Sequence, residues 1–385
     1  MPQAKNLMWA FSIFFGMTIG IGKESVGSDI VRYMADVNVL HGLDFNFSTA
    51  WDYFKSTGEI DVLRTLLSIL VSRFTDNGYY LVIVFGFIFG YFYSRNMWFV
   101  LNRMEGKLKW ITVLLLFCFF IITPIWKIGG FRFHTAVHVF LYGLLPYLFM
   151  GNKKRLIWCF LTPFVFHYSF LIPLFCLLVY LLLGNRLKMY YWFFIVSLFV
   201  GQLNLDRLNP IIEKYLPSVL NERSSSYRDT QKVAYYRSDD YSQEKVWYAK
   251  FHKNFLNWPI SVFLIVLYWK SREIFETDRN LLRLLSFTFL FYGVAFVMSS
   301  IPSGQRFLAP AGLLTISLLV VYIQNSKQEV LMDKMIVFAY PFLAIYLLVS
   351  LREAFYYTSL TTVLGNPVFA LFTIGDNFSI NDLIK

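Results

Sequence analysis

Apolar stretches recur along this chain with almost no charge inside them. They fall at roughly 7–22, 78–100, 110–126, 133–150, 156–183, 190–205, 258–269, 281–300, 307–323 and 335–351. A helix needs about 20 apolar residues to cross the hydrocarbon core of a bilayer, and fewer where the bilayer thins. Composition agrees with that reading. Hydrophobic residues make up 57% of the chain and charged residues 15%, where a soluble domain has about a quarter charged. With 42 Phe and 25 Tyr among 385 residues, there is more apolar surface than one soluble core could use. A backbone in lipid must satisfy its own hydrogen bonds. The expected fold is therefore all-α: one membrane domain over residues 1–385, a polytopic transmembrane bundle of about 10–11 helices.

The net charge is +11. Its Lys and Arg sit in short loops between the apolar stretches, as the positive-inside rule expects, so the basic balance points to membrane topology and away from nucleic acid. Cys118, Cys159 and Cys176 all lie within apolar stretches and read as small buried hydrophobes, not as disulfides or metal ligands. Residues 1–22 resemble a signal peptide but show no small-x-small cleavage site, and read as an uncleaved first helix.

The stretch 156–183 is long and is interrupted by Pro163, His167-Tyr168-Ser169 and Pro173. It reads either as one tilted helix or as two short helices meeting at the histidine. Basic residues flank both ends, Lys153-Lys154-Arg155 before and Arg186 and Lys188 after. A two-legged hairpin keeps both clusters on the cytoplasmic side, and charge favours it. That topology puts 23–77, the loop 206–257, the turn 301–305 and the tail 352–385 outside. Segment 23–77 carries eight acidic residues against five basic ones, which fits an outer face. Within it, residues 61–74 have helical apolar spacing around Arg64 and Arg73, and read as an interfacial or re-entrant helix.

No nucleotide-binding loop, serine-hydrolase elbow, zinc-protease helix or paired-cysteine motif is present. His134 and His138 share one helical face, as two zinc ligands would, but the sequence offers no third ligand. Packing between helices is the simpler reading, and the expectation is no metal. Charged residues at or beside membrane depth are more informative, because burying them is costly. Arg132, in GGFR, and Arg306, in SGQR, each open an apolar stretch at its outer end. Arginine suits a diphosphate, being always charged and donating in a planar fork. Interface anchoring is the competing reading. His167 sits at a break in an apolar stretch, where it must find a partner or a wet cavity. It reads as a proton acceptor or hydroxyl holder, or else as a hydrogen-bonded core histidine.

Several short motifs together resemble the EpsG-like and Wzy-type polymerases of bacterial capsule, exopolysaccharide and O-antigen pathways. They are Gly27-Ser-Asp29-Ile-Val-Arg32-Tyr33 in an early outer loop, Arg132 with Ala136 four residues on, and the basic turn Gly151-Asn-Lys-Lys. Phe166-His167-Tyr168-Ser169, a large outer loop and the late Arg306-Phe307 complete the set. The resemblance implies a multi-pass protein of the bacterial cytoplasmic membrane. Its substrate would be an undecaprenyl-diphosphate-linked oligosaccharide at the outer leaflet, set among membrane lipid. The growing glycan would move from its lipid diphosphate onto the sugar end of another lipid-linked repeat unit. The resemblance implies no cofactor and no metal, and a chain-length regulator and a flippase as partners. It assigns catalysis to His167, Arg132 and Arg306. Substrate contacts fall to Asp29, Arg32 and Tyr33, and to Arg223, Tyr227 and Arg228 in the large loop, whose aromatics could stack on sugars. A flippase, a membrane O-acetyltransferase and an O-antigen ligase are the competing readings. Transporters often show internal symmetry between halves, and none is visible here.

Overall fold

Glycines bring the first helix against the fifth. The computed structural model describes residues 2–19, 29–43, 46–58, 62–200, 247–300, 303–325, 330–364, 368 and 378–384. Helix α1 (Pro2–Met17) packs along α5 (Tyr79–Leu101), a helix of 23 residues and about 34 Å. At the contact a Cβ on Gly86 would lie 2.2 Å from the Gly16 carbonyl oxygen, and one on Gly90 would lie 2.7 Å from that of Ser12. Only small residues permit such an approach, the usual way in which membrane helices associate closely. The pairing of 16 with 86 and 12 with 90 makes the two helices antiparallel.

Among the described residues the chain is helical, and no β-structure exceeds an isolated bridge. Among the described residues, four stretches have the length and hydropathy to cross a membrane: Trp110–Met150, Arg279–Ser299, Gly304–Asn325 and Lys334–Tyr357. Leu63–Ser72, Tyr168–Leu183 and Leu187–Phe199 are shorter apolar helices. This is the all-α polytopic membrane fold that the hydropathy pattern anticipates.

The helices gather into two compact units. The first holds residues 1–103, 123–174 and 350–385. It contains α1, α2 (Asp29–His41), α3 (Phe47–Thr57), α4 (Leu63–Ser72) and α5. A 3-10 turn (Ile125–Gly130) then leads into α7 (Phe131–Met150), and α8 (Ile157–Val165) packs back on α7. Asn46 caps α3 by accepting from the Thr49 N–H at 2.9 Å. At the other end of the unit's sequence, Thr358 bridges to Ile19, just past the end of α1.

Helix α4 is amphipathic in the inverted sense. Its buried face is Arg64, Thr65, Ser68, Val71 and Ser72, while Leu66 and Leu70 are more than half exposed. Leucines point outward and polar groups inward, the reverse of a helix on a soluble core.

The second unit holds residues 104–122 and 175–349. It is built from α6 (Trp110–Ile122), most of α9 (Leu171–Leu183), α10 (Leu187–Val200), α11 (Trp247–Thr277), α12 (Arg279–Ser299), α13 (Leu308–Asn325) and most of α14 (Val330–Tyr357). Helix α13 is its centre, buried from Pro310 to Gln324. Little of the Lys334–Tyr357 stretch of α14 is buried, as for a lipid-facing helix. Tyr191 stacks on Tyr268 at 3.8 Å, and the Tyr292 hydroxyl donates to Asn257 at 2.8 Å, tying α10, α11 and α12 together.

The stretch 156–183 is broken at the histidine, the second of its two readings: α8 ends at Val165, Tyr168–Phe170 form a 3-10 turn, and α9 starts at Leu171. One expectation shifts in detail. Residues 247–257, expected within the large loop, are instead the first turns of α11. The reason is aromatic contact along the helix, Trp247 with Phe255 and Phe251 with Trp258. These contacts hold the segment helical ahead of its apolar part. The rest of the loop expected at 206–257, with Arg223, Tyr227 and Arg228, lies outside the described residues.

Candidate active site around Tyr33 and Arg132

Helix α2 begins at Asp29 and places Tyr33 one turn in, where the ring is 1% exposed. The ring meets Phe85 of α5 edge-on. Phe85 in turn stacks flat on Phe131, the first residue of α7, with centroids 3.7 Å apart. One aromatic column thus fixes both the tyrosine and the start of α7. Arg132, the next residue, donates from Nη1 to the Tyr33 hydroxyl at 3.5 Å.

Two more guanidiniums converge on the same ring. The Cζ of Arg64 lies 4.5 Å from its centroid and that of Arg32 5.4 Å. Cations over an aromatic face are attracted by the ring quadrupole, more strongly where water is scarce. Arg64 is 4% exposed and pairs with Asp36 at 2.8 Å. Tyr53 also takes a hydrogen bond from Arg64, at 3.4 Å. Burial, then the charge of Asp36, pushes the Tyr53 phenol up to about 12, so it stays neutral. Arg32 pairs with Asp29 at 2.9 Å in an exposed position, where such pairs add little stability. Of the groups named, three arginines face two carboxylates, and the cluster is net positive.

His167 occupies the break between α8 and α9 with extended backbone. Its Nδ1 accepts from the Ser169 N–H at 3.1 Å and lies 3.0 Å from the Ser169 hydroxyl. The imidazole does the work of a capping side chain. A backbone N–H can only donate, so this bond places the ring's proton on Nε2. That tautomer suits holding an oxygen better than taking up a proton. The His167 ring also meets Phe133 edge-on at 5.7 Å, next to Arg132. The Val62 N–H donates to the Phe164 carbonyl at 3.2 Å, joining the start of α4 to the end of α8.

His138 is a packed histidine. Its Nε2 donates to the Thr123 carbonyl at 2.9 Å, and Asn96 reaches its Nδ1 at 3.4 Å. Among the described residues no three His, Cys, Asp or Glu side chains gather as metal ligands. Arg306 belongs to the second unit. It lies in a 3-10 turn (Gly304–Phe307) that opens α13, with its guanidinium 5.8 Å from the Phe307 ring. Gly304 is required there, since a Cβ would come 1.8 Å from the Met298 carbonyl oxygen, and Ser303 before it is left-handed at φ 61°.

The structure thus brings Tyr33, Arg32, Asp29 and Arg132 into one cluster, sets His167 against Phe133, the residue after Arg132 in sequence, and places Arg306 in the other unit. The EpsG family model matches residues 7–359, which spans all of these positions. The chain belongs to the EpsG family. EpsG membership places it at the membrane in polysaccharide biosynthesis, with a polymerase-like, glycosyltransferase type of activity. No curated protein and no solved structure gives a match.

Arg64, Asp36 and Tyr53 enter this EpsG site without having been singled out for it in sequence. The available signal was Arg64 in an otherwise apolar helical segment, which the sequence reading took as a mark of the membrane surface.

Proposed function

We propose that this EpsG-family protein is a polymerase that extends a polysaccharide on an undecaprenyl diphosphate carrier at the outer leaflet of the bacterial cytoplasmic membrane. The observation that carries the reading is the convergence of Arg132, Arg64 and Arg32 on the buried Tyr33. In the reaction the bond between the donor's anomeric carbon and its diphosphate oxygen breaks, and both electrons go to that oxygen. A hydroxyl oxygen of the acceptor repeat unit bonds to the anomeric carbon and gives up its proton. Negative charge grows on the leaving diphosphate, and fixed cations there lower the barrier. Arg132 takes that role within the first unit, with Tyr33 orienting its fork; Arg306, considered by itself in the second unit, is a phosphate-binding arginine of the same chemistry.

His167, holding its proton on Nε2, donates to a sugar or phosphate oxygen. Asp29, a carboxylate at the exposed edge of the cluster, receives the acceptor's proton. Arg223, Tyr227 and Arg228 contact the glycan from the large loop. The chemistry needs no metal and no cofactor. A flippase delivers the repeat units, and a chain-length regulator sets when extension stops.

The deciding experiment is deletion of the gene followed by gel analysis of the cell's surface glycan. Glycan carrying a single repeat unit supports the polymerase. Complete loss of surface glycan would point to a flippase, and an unchanged ladder would end the polymerase reading.

A further inference from the structure

A second group of arginines lies toward the C-terminal ends of α5 and α7, far from Tyr33 and Arg132: Arg95 on α5, Arg103 just beyond it, and Arg155 in the 3-10 turn (Lys153–Leu156) after α7. Arg132 is the second residue of α7 and Met150 the last, about 27 Å further along at 1.5 Å per residue. At that far end, within the first unit, lies a cavity of about 360 Å³. Arg95, Arg103 and Arg155 line it together with the amides of Asn96, Asn102 and Asn152. Among the described residues that line it there is no aspartate or glutamate.

Each guanidinium is laid against an aromatic ring. The Cζ of Arg95 is 3.8 Å from the Tyr91 centroid and 4.0 Å from that of Trp9. For Arg103 the distance is 3.3 Å to Phe99, and for Arg155 it is 4.8 Å to Tyr142. Arg155 also donates to the Tyr142 hydroxyl at 2.5 Å. Lys5 adds a fourth cation, 4.9 Å over the Trp9 ring. Stacking of this kind fixes the plane of the guanidinium fork. Anchoring in the headgroup layer requires only charge on a flexible stem, not a shared, walled cavity. Burial pushes the Arg103 guanidinium down to about 10, so an anion beside it would be stabilising.

We infer that this cavity binds a phosphate-bearing anion, on the membrane face opposite the Tyr33–Arg132 cluster. Forked donors match phosphate oxygens two at a time, and the amides of Asn102 and Asn152 add neutral donors, while that of Asn96 is already given to His138. The charge pattern of the loops assigns this face to the cytoplasm. A phospholipid headgroup of that leaflet and free phosphate are the two sources of such an anion, and basic pockets between membrane helices suit headgroups. The inference is independent of the reaction proposed above and survives if that reaction is wrong.

The test is thermal unfolding of the full chain in a neutral detergent at constant ionic strength. Phosphatidylglycerol, phosphatidylcholine and inorganic phosphate are titrated separately. A saturable rise in midpoint with phosphatidylglycerol and none with phosphatidylcholine identifies a headgroup site, and a saturable rise with inorganic phosphate identifies a free-phosphate site. No saturable rise with either anion overturns the proposal, and this wild-type arm decides the matter even if a variant fails to fold. Arg103→Lys and Arg155→Lys keep the charge that sets topology but lose the fork. Each should raise the half-saturating concentration roughly 10- to 100-fold. Lys153→Gln with Lys154→Gln removes nearby charge outside the cavity and should leave saturation unchanged. Equal weakening by that pair, or wild-type saturation in both arginine variants, would reduce the effect to diffuse attraction and overturn the site.

Discussion

Arg132 donates to the hydroxyl of Tyr33 across 99 residues of chain. If the pair serves a diphosphate leaving group, charge alone will not preserve activity. Arg132→Lys should lower the rate of glycan extension about 30- to 1,000-fold, the loss expected for a charge-assisted contact in a water-poor site. Tyr33→Phe keeps the ring under the other arginines and loses only the hydroxyl, so about 2- to 10-fold is expected. Extension of purified lipid-linked repeat units, at matched protein levels, measures both. Full activity in Arg132→Lys would reduce this arginine to an interface anchor.

The Arg64–Asp36 pair is half-buried, with Arg64 enclosed and Asp36 partly open to water. Arg64→Met leaves the Asp36 carboxylate, 27% exposed, without its partner and should cost about 1–3 kcal/mol of stability. The double variant Arg64→Met with Asp36→Leu removes both charges and should recover much of that loss. Thermal midpoints in detergent test it. A single variant as stable as wild type would show that water reaches the pair.

Close packing of α1 on α5 predicts a sharp difference between two glycines. Gly86→Val drives a side chain into the Gly16 carbonyl and should cost roughly 1–3 kcal/mol or more through overpacking. A Cβ on Gly129 meets nothing within 4 Å, so Gly129→Ala should be silent. Yield of monodisperse protein for the two variants gives the comparison.

Sidedness can be read with single cysteines. Ser56 and Asn152 are exposed, and the native cysteines Cys118, Cys159 and Cys176 are buried and contribute little background. Ser56→Cys should react with an impermeant maleimide in cells whose outer barrier is opened. Asn152→Cys should react only after the inner membrane is lysed. The reverse pattern would invert the topology and move the proposed reaction to the cytoplasm.

Extension should proceed in excess EDTA. His138 already commits both ring nitrogens to Thr123 and Asn96, so it has no nitrogen to give to a metal. Loss of activity in EDTA with rescue by Mg2+ or Mn2+ would move the charge stabilisation from arginine to a metal.

Hydropathy made the helical membrane fold legible, because about 20 apolar residues in lipid have few alternatives to a helix. The break at His167 was legible too, since proline and histidine interrupt an apolar stretch for a physical reason. Tyr33 and Arg132 could each be marked from residue type and position. Their meeting could not, because a hydrogen bond across 99 residues leaves no local pattern. Arg64 was visible as a charge in an apolar helix. Its burial depends on which way α4 faces, and spacing alone gives a face without saying whether lipid or protein lies on it. The start of α11 at Trp247 was hidden because its aromatics and lysines read equally well as an outer loop.

The contact of Gly16 with Gly86 also constrains how the protein is made. About 70 residues separate the two glycines, so at roughly 5–20 residues per second α5 is synthesised several seconds after α1. During that interval α1 resides in the bilayer with its partner surface, including Ser12, covered by lipid or by the insertion machinery. A surface made of glycine and backbone is well suited to that wait. It presents no large apolar knob to capture a wrong neighbour, and it becomes adhesive only when a helix with its own small residues arrives in register.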